Sequence, residues 1–479
     1  MNSIIGESVK QNWGRSVLKK NSKWLLALFT MVFVLLPFAT TTASAEPLED
    51  MRQFIRDYYV DDVPESVLMK GTVQEITKHL DPYSVYMTAQ EYQGFVDGIE
   101  QRIIGIGVIL EEDALGIKVT SVIPQGPAER AGILVGDIIT HVGTQSLVGK
   151  SVQTAVSWIG GQENTVSTLT LVRAGETKPL TMRITREVIT IANVESTMLG
   201  GNIGYIRLNS FATESAKEVN DAIQSLDGAE GWIVDLRNNG GGYITVAQEM
   251  MGFFPKAVGA FQLREKVGKP LAYQAVPQQN QLSAPTHLLI NEYSASASEM
   301  VSAAVKEQKL ATLYGQKSYG KGTMQSMFNF TDGSVLKLTT ARFYSPKGQT
   351  VDKIGVKPDV VTTKGEELET SHRAQLIAKW KGYRLLPKLS NVPTSKKFTV
   401  EMTTAMDWSK LDQSATQLIQ LGGEETVVTV DVTNDRTVTV TPTKPLIAGE
   451  SYMLVIHPQW KGINNHSMKQ GIYVEITVK

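Results

Sequence analysis

Three serines stand in the run NEYSASASEM at Ser294, Ser296 and Ser298, and a lysine, Lys321, lies between two glycines further along the chain. A serine hydroxyl attacks a carbonyl only if a base removes its proton. A lysine amine does this when it is neutral, and burial favours the neutral form. No carboxylate lies within three residues of Lys321 on either side. The six histidines are His79, His141, His287, His372, His457 and His466. Only His287 is near the serines, and it begins a strand, about 15 Å of extended chain away. A Ser–Lys pair is therefore expected rather than a histidine triad. Gln325 would stand about 13 Å from Lys321 in an extended chain. Both can approach one serine if the backbone turns at Gly322, and the Gln325 carbonyl could then orient the amine. The competing reading is ordinary: small residues for close packing, and a surface turn around the lysine.

Position favours chemistry. THLLI reads as a buried strand and SEMVSAAVKE as a helix, so the serines occupy a strand's carboxyl end and a helix N-terminus. Reacting groups collect there in α/β sheets. Free backbone N–H groups and the positive helix end are suited to hold an oxyanion. The loop DLRNNGGG, Asp235–Gly242, ends a neighbouring strand. Its glycines bring backbone donors over the sheet as one half of an oxyanion hole, with the Ala297 N–H as the other, or they simply make a tight turn. These residues alone do not choose among the three serines.

The surrounding elements fall into blocks. Residues 1–45 form a signal peptide or membrane anchor. Residues 46–98 form a helical segment, with Met51, Phe54, Ile55 and Tyr58 at helical spacing. Residues 99–186 change to short strands with two short helices, a compact, partly open barrel. Residues 187–360 alternate strand and helix around a mainly parallel or mixed sheet. Residues 361–394 hold a helix, ELETSHRAQLIAKW, and a polar linker, KLSNVPTSKK. Residues 395–479 alternate as a small β-sandwich.

Composition sets limits. The chain has 479 residues, too many for a single ordinary domain. Lysine plus arginine number 47 and aspartate plus glutamate 48, which gives no argument for nucleic acid. Cysteine is absent, excluding disulfides, thiol nucleophiles and cysteine-held metals. Lys10, Arg15, Lys19, Lys20 and Lys23 precede an uncharged run, Trp24–Ala39, and Ala43 and Ala45 follow in small-x-small spacing. That is the secretory pattern, or an uncleaved anchor. Either places the remaining chain outside the cytoplasm, secreted or associated with the cell envelope.

DLRNNGGG, NEYSASASE, GQKSYGKGTMQ, DGSVLKLTTARFYSPKG and GVKPD occur in that order. They resemble the carboxyl-terminal processing peptidases, or tail-specific proteases, over about residues 46–360. The resemblance implies a multidomain α+β protein: an α/β protease core of crotonase-like ββα units, an inserted or preceding PDZ domain, an N-terminal helical segment and a C-terminal β-sandwich. It implies a serine endopeptidase without metal or cofactor. Ser296 would be the nucleophile, Lys321 the base and Gln325 its helper, with Gly241 and Ala297 forming the oxyanion hole. The family loop usually reads NNPGG, where this chain has Gly240, and Tyr293 replaces a small residue. The first change loosens the loop and the second narrows a subsite. The PDZ-like domain would take a substrate C-terminus as an added strand, its carboxylate held by Gly105, Ile106, Gly107 and Val108. Ile106 and Val108 favour an apolar tail. Further implied partners are a second copy through the N-terminal helices and, through the tail resembling a bacterial Ig-like domain, the cell envelope. The rivals are a non-catalytic PDZ/Ig-like scaffold and a Ser–Lys hydrolase acting on other esters or peptides.

Overall fold

The structure is a computed structural model of the chain, and residues 48–479 are described. The expected signal or anchor lies outside them. Among the described residues, no helix is long and apolar enough to cross a membrane.

The central sheet has six strands, ordered Val194–Leu199, Ile203–Leu208, Gly231–Asp235, Thr286–Ile290, Thr312–Gly315 and Val360–Val361. The first pair is antiparallel and the rest are parallel. Strand residues point alternately to the two faces. Trp232, Val234, Leu288 and Leu313 face the helices Ser215–Ser225, Ile244–Met251 and Ala297–Gln308. Ile233, Leu289 and Tyr314 face the other way, toward the helix Glu367–Lys379. With both faces covered, the central strands are apolar throughout, as the sequence suggests.

A second sheet stands beside the crest of the first. Its long strand Val335–Tyr344 carries Thr323–Asn329, Gly259–Glu265 and Val85–Met87 as neighbours, with Leu271–Gln274 beyond. The N-terminal helices lie on this sheet. Met51, Ile55, Leu68, Val73 and Ile76 pack with Leu336 and Leu338.

The helix Ala89–Ile99, with a Thr88–Glu91 capping box, leads into the next block. Six antiparallel strands between Val108 and Thr185 enclose their own apolar core, with the helices Pro127–Arg130 and Val152–Ile159. Arg102–Gly105 pairs with Glu187–Thr190, so the segments entering and leaving this block run together.

The C-terminal block contains two sheets, one around Ser451–Ile456 and Ile472–Val478, the other around Thr437–Pro442. The polar stretch expected to be a linker is partly strand. Leu389–Val392 pairs in parallel with Ile472–Val478, and Val392 is buried in the sandwich core. Its two apolar ends find partners, which polar composition alone conceals.

This block packs against the back of the protease sheet. Ile419, Leu421, Met453, Val455 and Tyr473 share one core with Leu376 and Trp380 of the helix and with Leu199, Ile203 and Ile233 of the sheet. Approach is so close that a Cβ on Gly200 would lie 2.5 Å from the Ile419 side chain. His372 ties three parts together. Its Nε2–H donates to the Gly200 carbonyl at 2.8 Å, and its Nδ1 accepts from the Gly422 amide at 2.9 Å. The ring is therefore neutral, and burial pushes its pKa down to about 4. Between the ordinary histidine value and that lower one, the unfolded chain binds a proton that the folded chain refuses. Stability contributed by the neutral ring is thus full above about pH 6.5, falls as pH drops toward 4, and then levels off. At pH 5 the expected loss is about 2 kcal/mol for this histidine. Urea unfolding at pH 7 and pH 5 measures it. In His372→Gln the difference between the two pH values should shrink by that amount.

Candidate active site

The crest of the central sheet opens into a cavity of about 640 Å³. Ser296, Gly241, Lys321 and Gln325 all line it, with Phe95 and Ile99 on the opposite wall. Of the residues implied by the resemblance, these four come together. No histidine lines this cavity. His287 lies elsewhere, bonded to the Ser371 hydroxyl at 3.0 Å and tilted against Tyr314.

The three serines have different tasks. Ser294 is fully buried and donates to the Leu236 carbonyl at 2.7 Å. Ser298 is fully buried and donates to the Asn239 carbonyl at 2.8 Å. Both hold the glycine loop against the helix start. Ser296 alone of the three lines the cavity. Its backbone has φ 56° and ψ −113°, a conformation unfavourable for a residue with a Cβ. It precedes the helix Ala297–Gln308, and the Ala297 amide finds no acceptor among the described residues.

Gly241 packs directly under Ser296. A Cβ there would lie 2.8 Å from the Ser296 Cβ, and φ is +106°, so only glycine fits. The expectation that its amide is a free oxyanion donor meets a difference. The Gly241 N–H donates to Asn239 Oδ1 at 2.9 Å, a local turn of the kind asparagine makes with the backbone two residues on. Gly240, in the position where proline is usual, borders open space.

Lys321 is held from both sides. A Cβ on Gly322 would collide with the Asp352 backbone, and Gly320 (φ +95°) is crowded by Lys353–Gly355. These glycines serve close packing, not a free surface turn. Burial, with help from the charge of Lys337, pushes the Lys321 amine down to about 8, while Asp81 and Glu299 oppose the shift. Lys337 lines the same cavity, with Nζ 4.4 Å from the Phe95 ring centre. Gln325 follows a register shift in its strand and donates to the hydroxyls of Thr323 and Thr339 at 3.1 Å each. With the amide nitrogen engaged, the carbonyl oxygen remains as Gln325's acceptor.

Sequence reasoning missed Glu299. It is fully buried inside the first turn of the helix. One oxygen accepts from the Ser318 hydroxyl and the Gly320 amide, both at 2.6 Å. The other accepts from the Ser296 amide at 3.0 Å and the Lys321 amide at 2.9 Å. One carboxylate thus joins the backbones of both residues. The glutamate three residues after Ser296 was a capping-box signal that could have exposed it.

A second, smaller cavity of about 100 Å³ lies in the block of short strands. Gly105, Ile106, Gly107 and Val108 all line it, facing Val156 and Ile159 of a helix. The carbonyls of Ile106 and Gly107 accept from Ala128 and Ile123, while their amides find no acceptor among the described residues. Among the described residues, no group of three histidines and acidic side chains is placed to hold a metal.

The pattern of Peptidase family S41 matches residues 202–362, that of the PDZ domain residues 118–173, and that of the bacterial Ig-like domain residues 387–473. The carboxy-terminal processing protease CtpA of Bacillus subtilis is 35% identical over 326 residues, covering 67% of this chain and 70% of the relative. A probable CtpA-like serine protease of Staphylococcus aureus is 34% identical, covering 67% of this chain and 65% of the relative. Among solved structures, the photosystem II D1 C-terminal processing protease aligns at 25% identity with a TM-score of 0.44, over 66% of this chain and 92% of that one. The chain belongs to the carboxy-terminal processing proteases of family S41, peptidases of the serine type, and combines the protease core with a PDZ domain and a bacterial Ig-like domain.

Proposed function

We propose that this protein is an extracytoplasmic endopeptidase that cleaves protein substrates near free, apolar C-termini, with Ser296 as nucleophile and Lys321 as general base. The observation that carries the reading is the meeting of Ser296, Lys321 and Gln325 in one cavity. The neutral Lys321 amine takes the Ser296 proton as Oγ bonds to the substrate carbonyl carbon. The oxyanion is held by the Ala297 amide and by the Gly241 amide once it releases Asn239. The C–N bond then breaks, and the lysine returns its proton to the leaving amine. A water attacks the acyl-enzyme, giving its proton to Lys321, and Ser296 is freed. Gln325 orients the amine.

The PDZ cavity supports recognition of a substrate tail. Its apolar lining suits an apolar last residue, and the free amides of Ile106 and Gly107 suit a carboxylate. The basic region followed by an apolar run at the N-terminus supports the extracytoplasmic setting. Pairing of two copies through the N-terminal helices, and envelope contact through the Ig-like domain, extend the same reading.

The test is an unstructured reporter ending in an apolar residue, offered with a free or an amidated C-terminus and followed by mass spectrometry. The free form should be cut at least about tenfold faster, since the amide removes the charge that the PDZ amides recognise. Equal rates would remove tail recognition from the proposal. Cutting by Ser296→Ala at the parent rate would remove the nucleophile.

A further inference from the structure

The segment Asp81–Tyr86 lies outside the residues that carry the family pattern, 202–362, yet it reaches the proposed base. The Lys321 Nζ sits 4.8 Å from the centre of the Tyr83 ring. The Tyr83 hydroxyl lies near that of Tyr319, in the loop that carries Lys321.

The backbone of Tyr83 is held equally firmly. Its amide donates to Asp81 Oδ1 at 2.8 Å, and the Ser84 hydroxyl donates to Asp81 Oδ2 at 2.7 Å. Thr339 closes the arrangement. Its amide donates to the Ser84 hydroxyl and its own hydroxyl to Asp81 Oδ1, both at 3.0 Å. Gln325 in turn donates to the Thr339 hydroxyl. The next residues, Val85–Met87, add a strand to Val335–Lys337. A continuous set of hydrogen bonds therefore links Tyr83 to Gln325.

We propose that Tyr83 is a wall of the base's pocket, excluding water from the Lys321 amine and keeping it aimed at Ser296, so that the base is assembled from two distant parts of the chain. The inference rests on the Ser296–Lys321 reading above. Tyr83 acts through Lys321 and is a positioning residue.

Several charged or titratable groups face the amine. Lys337 comes from the strand Val335–Tyr344, Asp81 and Tyr83 from the N-terminal segment, and Glu299 from the helix. Tyr319 belongs to the lysine's own loop, and Asp352 to the loop packed on Gly322. Lys337 favours the neutral amine, while Asp81 and Glu299 favour the charged one. The Tyr83 ring acts in two opposing ways: its face attracts an ammonium, but it also displaces the water that would solvate one, and burial is the largest influence on this amine.

The experiment is the pH profile of kcat/KM for reporter cleavage by the full chain. Tyr83→Ala and Tyr83→Gln should move the rising limb up by about one pH unit, lowering the rate at pH 7 about tenfold and recovering above pH 9. Tyr83→Gln serves if the alanine variant does not fold. Tyr83→Phe, which loses only the hydroxyl, should keep the parent midpoint. Asp81→Asn should move the limb the opposite way. An unmoved midpoint in Tyr83→Gln, or a shift in Tyr83→Phe as large as in Tyr83→Gln, overturns the inference while the dyad stands. Parent-like cleavage by Lys321→Ala overturns the dyad and this inference with it.

Discussion

Lys321→Met and Ser296→Ala each reduce kcat for reporter cleavage by about 10⁴- to 10⁶-fold, and the double variant is no worse than either. In the proposed mechanism the two groups act on one proton, so removing either removes the step. The parent's pH profile carries the second half of this expectation. With the amine pushed down to about 8, only a minority of molecules hold a neutral base at pH 7. The rate should therefore climb about tenfold per pH unit below 8 and flatten above about 9. A histidine base would already be on its plateau at pH 8. A flat profile from pH 6 to 9 in the parent, or Lys321→Met within tenfold of it, would exclude lysine as the base. Lys321→Met is the useful variant because methionine keeps the apolar stem and loses only the amine.

Glu299→Gln comes next in size. The carboxylate accepts four hydrogen bonds, and every donor is an N–H or O–H of the site. A glutamine has one oxygen and one NH₂, so two donors would face another donor. Burial raises the carboxyl's pKa overall, although these donors oppose the rise. An acceptor four times over fits the ionised form. The Ser296 and Lys321 amides share one of the oxygens, so losing it separates the two backbones. A misplacement of about 1 Å costs on the order of 10²-fold in rate, and kcat should fall by that much or more while KM stays within about threefold. The pH profile should move at the same time. Removing a negative charge that favours the lysine ammonium lowers the midpoint, so amplitude and midpoint both decline. Circular dichroism and thermal melting separate this from unfolding. Full kcat in a folded Glu299→Gln protein would refute the positioning role.

Much of this architecture was readable from local pattern. The helix at Met51 and Ile55, the buried strands at Ile233 and Leu289 and the hairpin turned at Asn434 follow from apolar spacing and turn residues. The site was readable only in part. Ser294, Ser296 and Ser298 have the same side chain, and what separates them is which carbonyls lie opposite. Those belong to Leu236 and Asn239, in another strand and loop. Lys321 has no carboxylate near it along the sequence, whereas Asp81 and Glu299 approach it through space. Gly320 and Gly322 were compatible with a surface turn until Asp352 and Gly355 were placed against them. His372 appeared as one polar residue in a helix. Its partners, Gly200 and Gly422, lie in two different domains.

The packing of the Ig-like block behind the protease sheet also bears on timing. Ribosomes make the chain from its N-terminus. The strand Ile472–Val478, which brings Tyr473 to the back of the sheet, is made after every strand of the protease sheet. Until then Ile233, Leu289 and Tyr314 have helix Glu367–Lys379 over them but not the layer that holds that helix in place. The strands that end at Ser296 and the glycine loop thus reach their final support only after this strand has been made. Removing the Ig-like block should therefore loosen the helix Glu367–Lys379 and, through it, the strands that carry Ser296 and the glycine loop.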